Sequence, residues 1–132
     1  MTDMEQPVSE FKSKSGFKRI FSAFFYSIDG FKSAWKNEHA FRQELMIVIP
    51  GVCVTLLLPV GALEKLLLIG VLVLVLIIEL LNSAVEAAVD RVSLERNPLS
   101  KNAKDFGSAA VFLAALFAAV TWTVVLLPLF WR

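Results

Sequence analysis

Five polar residues stand where apolar ones are expected. Glu79, Asn82, Ser83, Glu86 and Asp90 interrupt a run of Leu, Ile and Val over 66–90. Relative to Glu79, the other four fall at offsets of 3, 4, 7 and 11 residues. On an α-helix these are rotations of roughly −60°, 40°, −20° and 20°, so all five share one face. A carboxylate at the centre of a bilayer costs about 2.5 kcal/mol at the least. Such a face belongs against protein or water, not lipid. Asn82 and Ser83 taken alone read as groups that hydrogen-bond to a neighbouring helix. Glu79 and Glu86 together point to chemistry. They are two turns apart, about 10 Å along the axis, too far to share one ion easily. The deeper one suits a base, because burial disfavours its charged form. The one nearer the polar end suits a hard cation, for which carboxylates are the usual ligands.

A cation calls for a second acid, and Glu38 is the candidate. It lies in Asn37-Glu38-His39-Ala40-Phe41-Arg42-Gln43-Glu44, which leads into the first apolar run. His39 reads as a surface side chain and Arg42 as a snorkelling interfacial one, able to anchor a lipid head group. Past the acidic run, Lys104 and Asp105 stand at the start of the third apolar run, where free N–H groups and Lys101 could receive phosphate. Asp105 is also favoured there by the helix dipole. Gly107, Ala110, Ala114 and Ala118 form a small-residue stripe suited to close helix packing and not to chemistry. Neither G-x-x-x-x-G-K-[ST] nor G-x-G-x-x-G occurs, and no Ser or Cys nucleophile constellation is visible.

The elements that must carry these groups follow from composition. Of 132 residues, 57% are hydrophobic and 19% charged, against roughly 45–50% apolar in an ordinary globular protein. A disordered chain would be poorer in Leu, Ile, Val and Phe, and a small soluble domain could not hide so much apolar surface. The net charge of +1 supplies no drive toward nucleic acid, and the single Cys53 excludes an internal disulfide. Three apolar runs, 45–63, 66–90 and 106–131, are each near the roughly 20 residues a helix needs to cross hydrocarbon. Pro50 predicts a kink in the first, and 58–62, with Pro59 and Gly61, the turn into the second.

Residues 1–16 read as a polar tail, and 17–132 as a single membrane domain. Phe17, Phe21, Phe24, Ile28, Phe31 and Trp35 recur at spacings of 4, 3, 4, 3 and 4. That is one narrow stripe, with Lys18, Ser22, Asp29, Ser33 and Lys36 opposite, and it predicts an amphipathic interfacial helix over about 17–36. Seven Lys and Arg precede residue 45 and four lie in 90–105, against Lys65 and Arg132 on the other side. This bias places the N-terminus and second loop in the cytoplasm and the C-terminus outside. The expected fold is therefore all-α and integral to the membrane: an interfacial helix and three transmembrane helices. A polar face that three helices cannot enclose calls for self-association.

Three blocks in this order resemble the small prokaryotic diacylglycerol kinase family. They are Asn37-Glu38-x-x-Phe41-Arg42-Gln43-Glu44, then Glu79-x-x-Asn82-Ser83-Ala84-x-Glu86-x-x-x-Asp90-Arg91, then Ala103-Lys104-Asp105-x-Gly107-Ser108-Ala109-Ala110-Val111. The resemblance implies a homotrimer with composite sites between neighbours. It implies transfer of the ATP γ-phosphate to diacylglycerol, with Mg²⁺, at the cytoplasmic face of the bacterial inner membrane. On matching positions it implies Glu79 as the base, and Glu38 and Glu86 as metal ligands that also meet the nucleotide. Arg19, Tyr26, Glu95, Lys104 and Asp105 would contact the nucleotide. Asn82 would orient groups beside Glu79. Ser27, Lys32, Trp35, Arg42, Gln43, Glu44 and Ser108, with Arg19, would line the lipid site. The chain departs from the family at Ile28, often Trp, and at Arg96-Asn97, which replace an aromatic–His pair of the nucleotide loop.

Undecaprenol is the alternative acceptor, because close relatives in the same superfamily phosphorylate it. Two readings of other classes rest on the intramembrane acids alone. A small cation- or proton-coupled transporter would use Glu79 and Glu86 as carriers. A structural assembly factor would use the polar face only to set its oligomeric state.

Overall fold

The computed structural model describes residues 16–131. Residues 1–15 of the expected tail and Arg132 lie outside the described residues. The described chain is helical almost throughout, with no strand among the described residues. It divides at Asn37 into two units.

The first unit is one helix, α1, Phe17–Asn37. Gly16 precedes it at φ 59°, a left-handed conformation that glycine adopts without a Cβ clash. The helix passes through Gly30 without a break. Phe17, Phe21, Phe24, Phe31 and Trp35 are all exposed within the chain.

The second unit holds three long helices: α2, His39–Leu57; α3, Ala62–Val92; and α4, Pro98–Leu126, which ends in a short 3₁₀ turn, Leu127–Trp131. All three helices are long and apolar enough to cross a membrane, and the chain is an integral membrane protein. At 1.5 Å per residue α3 is about 46 Å long, against about 30 Å of hydrocarbon, so α3 reaches past the apolar layer.

The helix ends differ from the apolar runs because local chemistry sets them. Glu38 is extended (φ −103°, ψ 109°), and α2 starts at once with His39, six residues before its apolar run. It stops at Leu57, two residues before Pro59, as the residue preceding a proline is steered away from helical backbone. The turn that follows is built from side chains. Gly61 N–H donates to Glu64 Oε2 at 2.7 Å, and Lys65 Nζ donates to the Leu56 carbonyl at 2.9 Å. These satisfy groups that helix ends leave open.

At the other end, α4 begins at Pro98, eight residues before its apolar run. Asn97 is its N-cap, its Oδ1 accepting from Leu99 N–H at 2.8 Å, and Pro98 occupies the first turn. A proline is favoured there because its missing N–H would have no partner anyway. The expectation that Lys104 and Asp105 stand at the helix start is therefore corrected. They lie two turns inside α4, away from its free N–H groups.

α3 is the central helix, packed chiefly on α4 and also on α2. Val71 and Val75 meet Ala114 and Ala118, with Ile78 and Trp122 against them. Trp122 Nε1–H donates to the Leu68 carbonyl at 3.2 Å, fastening α4 to α3. Gly51 brings α2 close to α3: a Cβ there would stand 2.7 Å from Leu72 Cδ1. Of the predicted small-residue stripe, Gly107, Ala114 and Ala118 sit in the α3–α4 seam, whereas Ala110 is exposed.

Candidate functional site

The polar face of α3 turns into the helix assembly at its deepest member and toward water at its last. Glu79 is buried, at 4% exposure, the only charged side chain buried among the described residues. Asn82, Ser83 and Glu86 are half-buried, and Asp90 is exposed. Leu66 is the first residue of the apolar run, so Glu79 lies about 20 Å along the helix from it and Glu86 about 30 Å. In a bilayer about 30 Å thick, Glu79 is some 10 Å beneath one surface and Glu86 at that surface.

Other elements bring acids to the same place. Glu38 and Glu86 are electrostatic neighbours of Glu79, and Glu79 is one of Glu44. Glu44 is half-buried, and its Oε2 is enclosed with no hydrogen-bond partner. Glu79 is the carboxylate these neighbours share, and their charges oppose its own unless protons or a cation neutralise them. Asn82 Nδ2 donates to Glu86 Oε1 at 3.4 Å, a long bond to the carboxylate one turn along. Among the described residues, no three His, Cys, Asp or Glu side chains form a set that would hold a metal ion alone.

Two ion pairs lie just beyond. Lys104 Nζ meets Asp90 Oδ1 at 2.6 Å, bridging α4 to α3, and is also an electrostatic neighbour of Glu86. Lys101 Nζ meets Asp105 Oδ2 at 2.5 Å, one turn away on the same helix. The loop between α3 and α4 forms one wall of an open cleft of about 790 Å³ that includes Asp90, Glu95, Arg96, Lys101, Lys104 and Asp105. A second cavity, about 440 Å³ and almost entirely apolar, runs between α2 and α4 from Glu44 past Gly51 to Trp122. One chain thus presents a charged cleft at the helix ends, an apolar groove along the helices, and a buried carboxylate.

The structure brings together Glu38, Glu44, Glu79, Asn82 and Glu86, and groups Glu95, Lys104 and Asp105 around the cleft. It does not bring Gln43 or Ser108 into a described contact with either group; both are exposed. Arg42 is half-buried on the first turn of α2. Arg19, Tyr26, Ser27, Lys32 and Trp35 belong to α1 and are described only within it; all five are exposed there. Arg19 and Tyr26, seven residues apart, lie along one face of that helix, with Trp35 on the opposite side. His39 is exposed, as a surface side chain would be.

Sequence reasoning missed three features. The Lys101–Asp105 pair was legible in its four-residue spacing. The Lys104–Asp90 pair joins two helices and had no local signal. Asn82 read as facing a neighbouring helix and Gly107 as a close-packing position, but their pairing was not legible; a Cβ on the glycine would collide with the amide oxygen.

Comparison with known proteins adds the family. Residues 25–126 match the prokaryotic diacylglycerol kinase family. The chain is 54% identical over 119 residues to a diacylglycerol kinase of Pseudomonas aeruginosa, covering 90% of this chain and 97% of that one. It is 48% identical over 112 residues to a diacylglycerol kinase of Escherichia coli, covering 85% and 92%. A diacylglycerol kinase of Helicobacter pylori is 42% identical over 130 residues, covering 98% of each. A buried intramembrane carboxylate, an acidic and lysine-bearing cleft at the helix ends and this likeness over most of the chain agree: the protein belongs to the prokaryotic diacylglycerol kinase family, and is a membrane-embedded lipid kinase with ATP as the phosphate donor that such a family implies.

Proposed function

We propose that the chain transfers the γ-phosphate of ATP to the free hydroxyl of diacylglycerol, with Glu79 as the general base. The observation that carries this reading is the burial of Glu79 within the helices, two turns along α3 from Glu86 and so about 10 Å deeper in a spanning helix. A lipid hydroxyl reaches that depth from the bilayer, and a nucleotide reaches the cleft from water. The hydroxyl proton passes to the Glu79 carboxylate, the hydroxyl oxygen bonds to the γ-phosphorus, and the bond to the β-phosphate oxygen breaks to leave ADP. Phosphoryl transfer depends mainly on positioning and charge neutralisation, which is what a cluster of this kind supplies.

Glu38 and Glu86 are the side chains that would hold Mg²⁺. The donor set fits: both are oxygen donors near Glu79, and Mg²⁺ usually takes one or two carboxylates and completes its shell with water and substrate phosphate. A set of only two protein carboxylates is therefore no obstacle. Bound there, Mg²⁺ would neutralise charge on the phosphates. Lys104 adds positive charge beside Glu86, and Asp105 and Glu95 line the cleft for the nucleotide. Arg19 and Tyr26, on one face of α1, contact the nucleotide as well. Asn82 orients Glu86 beside the base. Glu44, Arg42, Gln43, Ser108, Ser27, Lys32, Trp35 and Arg19 hold the lipid, with the apolar groove leading from Glu44 suited to its chain.

The aromatic stripe of α1 lies in the membrane interface, and the N-terminus and second loop face the cytoplasm at the inner membrane, with the C-terminus outside. Copies associate as a homotrimer with sites shared between neighbours. The wide exposure of apolar side chains on α3, among them Val73, Ile77, Leu81 and Val85, leaves surface for such contacts.

Phosphate transfer from labelled ATP with Mg²⁺ tests the reading, in mixed micelles with diacylglycerol or undecaprenol. Wild type is expected to label phosphatidic acid. Glu79→Gln, nearly isosteric, should lower kcat by about 10²–10⁴-fold, the usual contribution of a general base. Labelled undecaprenyl phosphate alone would move the acceptor. No transfer to either lipid by a folded oligomer would refute the kinase, and cation-coupled transport would then be measured.

A further inference from the structure

Gly107 lies in the α3–α4 seam and carries no functional group. Its backbone is not in the left-handed region, where among the described residues only Gly16 sits. A helix interior disfavours glycine by roughly 0.5–1 kcal/mol relative to alanine. Something other than conformation must require it, and the surroundings say what. A Cβ at Gly107 would collide with Asn82 Oδ1 and stand 3.1 Å from Asn82 Cγ and 3.7 Å from Asn82 Cβ. The nearest atoms all belong to that one side chain. The Asn82 amide therefore occupies the space the missing methyl leaves open.

The same amide is tied to the acidic cluster. Its Nδ2 donates to Glu86 Oε1, and its Oδ1 is buried without a partner. That oxygen has no hydrogen bond of its own, so apart from the long Nδ2 bond to Glu86 the amide is held by packing against α4. Turning the amide away from α4 would move Nδ2 with it and loosen the Glu86 carboxylate.

We infer that Gly107 is a positioning residue for the phosphoryl-transfer site: by admitting the Asn82 side chain against the α4 backbone, it fixes the amide that orients Glu86. The inference rests on the proposed function in taking Glu86 as a ligand for the divalent cation. Gly107 touches neither substrate nor metal; it acts through Asn82.

A double-mutant cycle tests this on the purified, lipid-reconstituted full chain. Gly107→Ala, Asn82→Ala and the pair are compared by kcat, by KM for lipid, and by Mn²⁺ affinity from electron paramagnetic resonance with a non-hydrolysable ATP analogue. Gly107→Ala is expected to lower kcat at least tenfold and weaken Mn²⁺ binding severalfold, with KM for lipid within twofold. In the Asn82→Ala background the same substitution should change kcat and Mn²⁺ affinity less than twofold, because nothing remains to displace. A merely structural glycine would give equal losses in both backgrounds and leave Mn²⁺ affinity unchanged, and either result overturns the inference. If Gly107→Ala fails to assemble, the pair must assemble again, since the two side chains compete for one space; failure to do so also overturns it. Coupling seen in Mn²⁺ affinity with a wild type that phosphorylates no lipid would support the positioning role and refute the kinase reading instead.

Discussion

Gly51→Ala tests how tightly α2 is held against α3, and its magnitude can be worked from the contact. The new Cβ would stand 2.7 Å from Leu72 Cδ1, about 1 Å inside the 3.5–4.0 Å at which carbons rest. Trp122 ring atoms at 3.6 and 3.8 Å need not move. Overpacking of this kind costs about 1–3 kcal/mol. Two effects reduce the loss. The atom met is the end of a flexible side chain, and Gly51 and Leu72 both border the 440 Å³ groove, so the methyl has room to rotate. Alanine also regains about 0.5–1 kcal/mol over glycine in a helix. The net destabilisation should be about 0.5–2 kcal/mol, measured as unfolding equilibrium in mixed micelles with a graded denaturing detergent. In a Leu72→Ala background the obstructing atom is gone, and Gly51→Ala should stabilise by about 0.5–1 kcal/mol. The reversal of sign is the decisive result. Equal destabilisation in both backgrounds would refute the packing described for Gly51 and Leu72.

Lys104→Met should reduce kcat/KM for ATP at least tenfold, while Asp90→Asn, which removes its partner in an exposed ion pair, should change it less than threefold; equal losses would make the Lys104–Asp90 pair, not phosphate contact, the function of Lys104. Trp122→Phe removes the hydrogen bond to the Leu68 carbonyl, and because interhelical bonds in membranes average about 0.6 kcal/mol, the bond itself should account for a loss under about 2 kcal/mol in the same unfolding assay. Phosphate-transfer kinetics and detergent unfolding, respectively, read these two outcomes.

Much of the fold was legible because bilayer physics narrows the choices. Runs of about 20 apolar residues leave only helices as spanning elements, since backbone groups cannot remain unpaired in hydrocarbon. The polar face of α3 was legible for the same reason, as offsets of 3, 4, 7 and 11 admit one helical geometry. Helix ends were less legible, because apolar runs mark the hydrocarbon and not the helix. Asn97-Pro98 starts α4 well before Phe106, and the break at Glu38 lets α2 begin at His39.

Helical period and hydrocarbon thickness are local constraints, so residue spacing and run length were enough to define a helical membrane protein with an acidic face along its second span. Its three motif blocks carried the family. Helix packing was needed to show which of the five polar groups is buried, that Glu44 stands beside Glu79, that Lys104 is paired with Asp90, and that Gly107 makes room for Asn82. Each of these depends on how closely two helices approach and at what rotation. That is set by the fit of Val71, Val75, Ala114 and Ala118 in the seam, a property of packed pairs that no single helix's residue spacing contains.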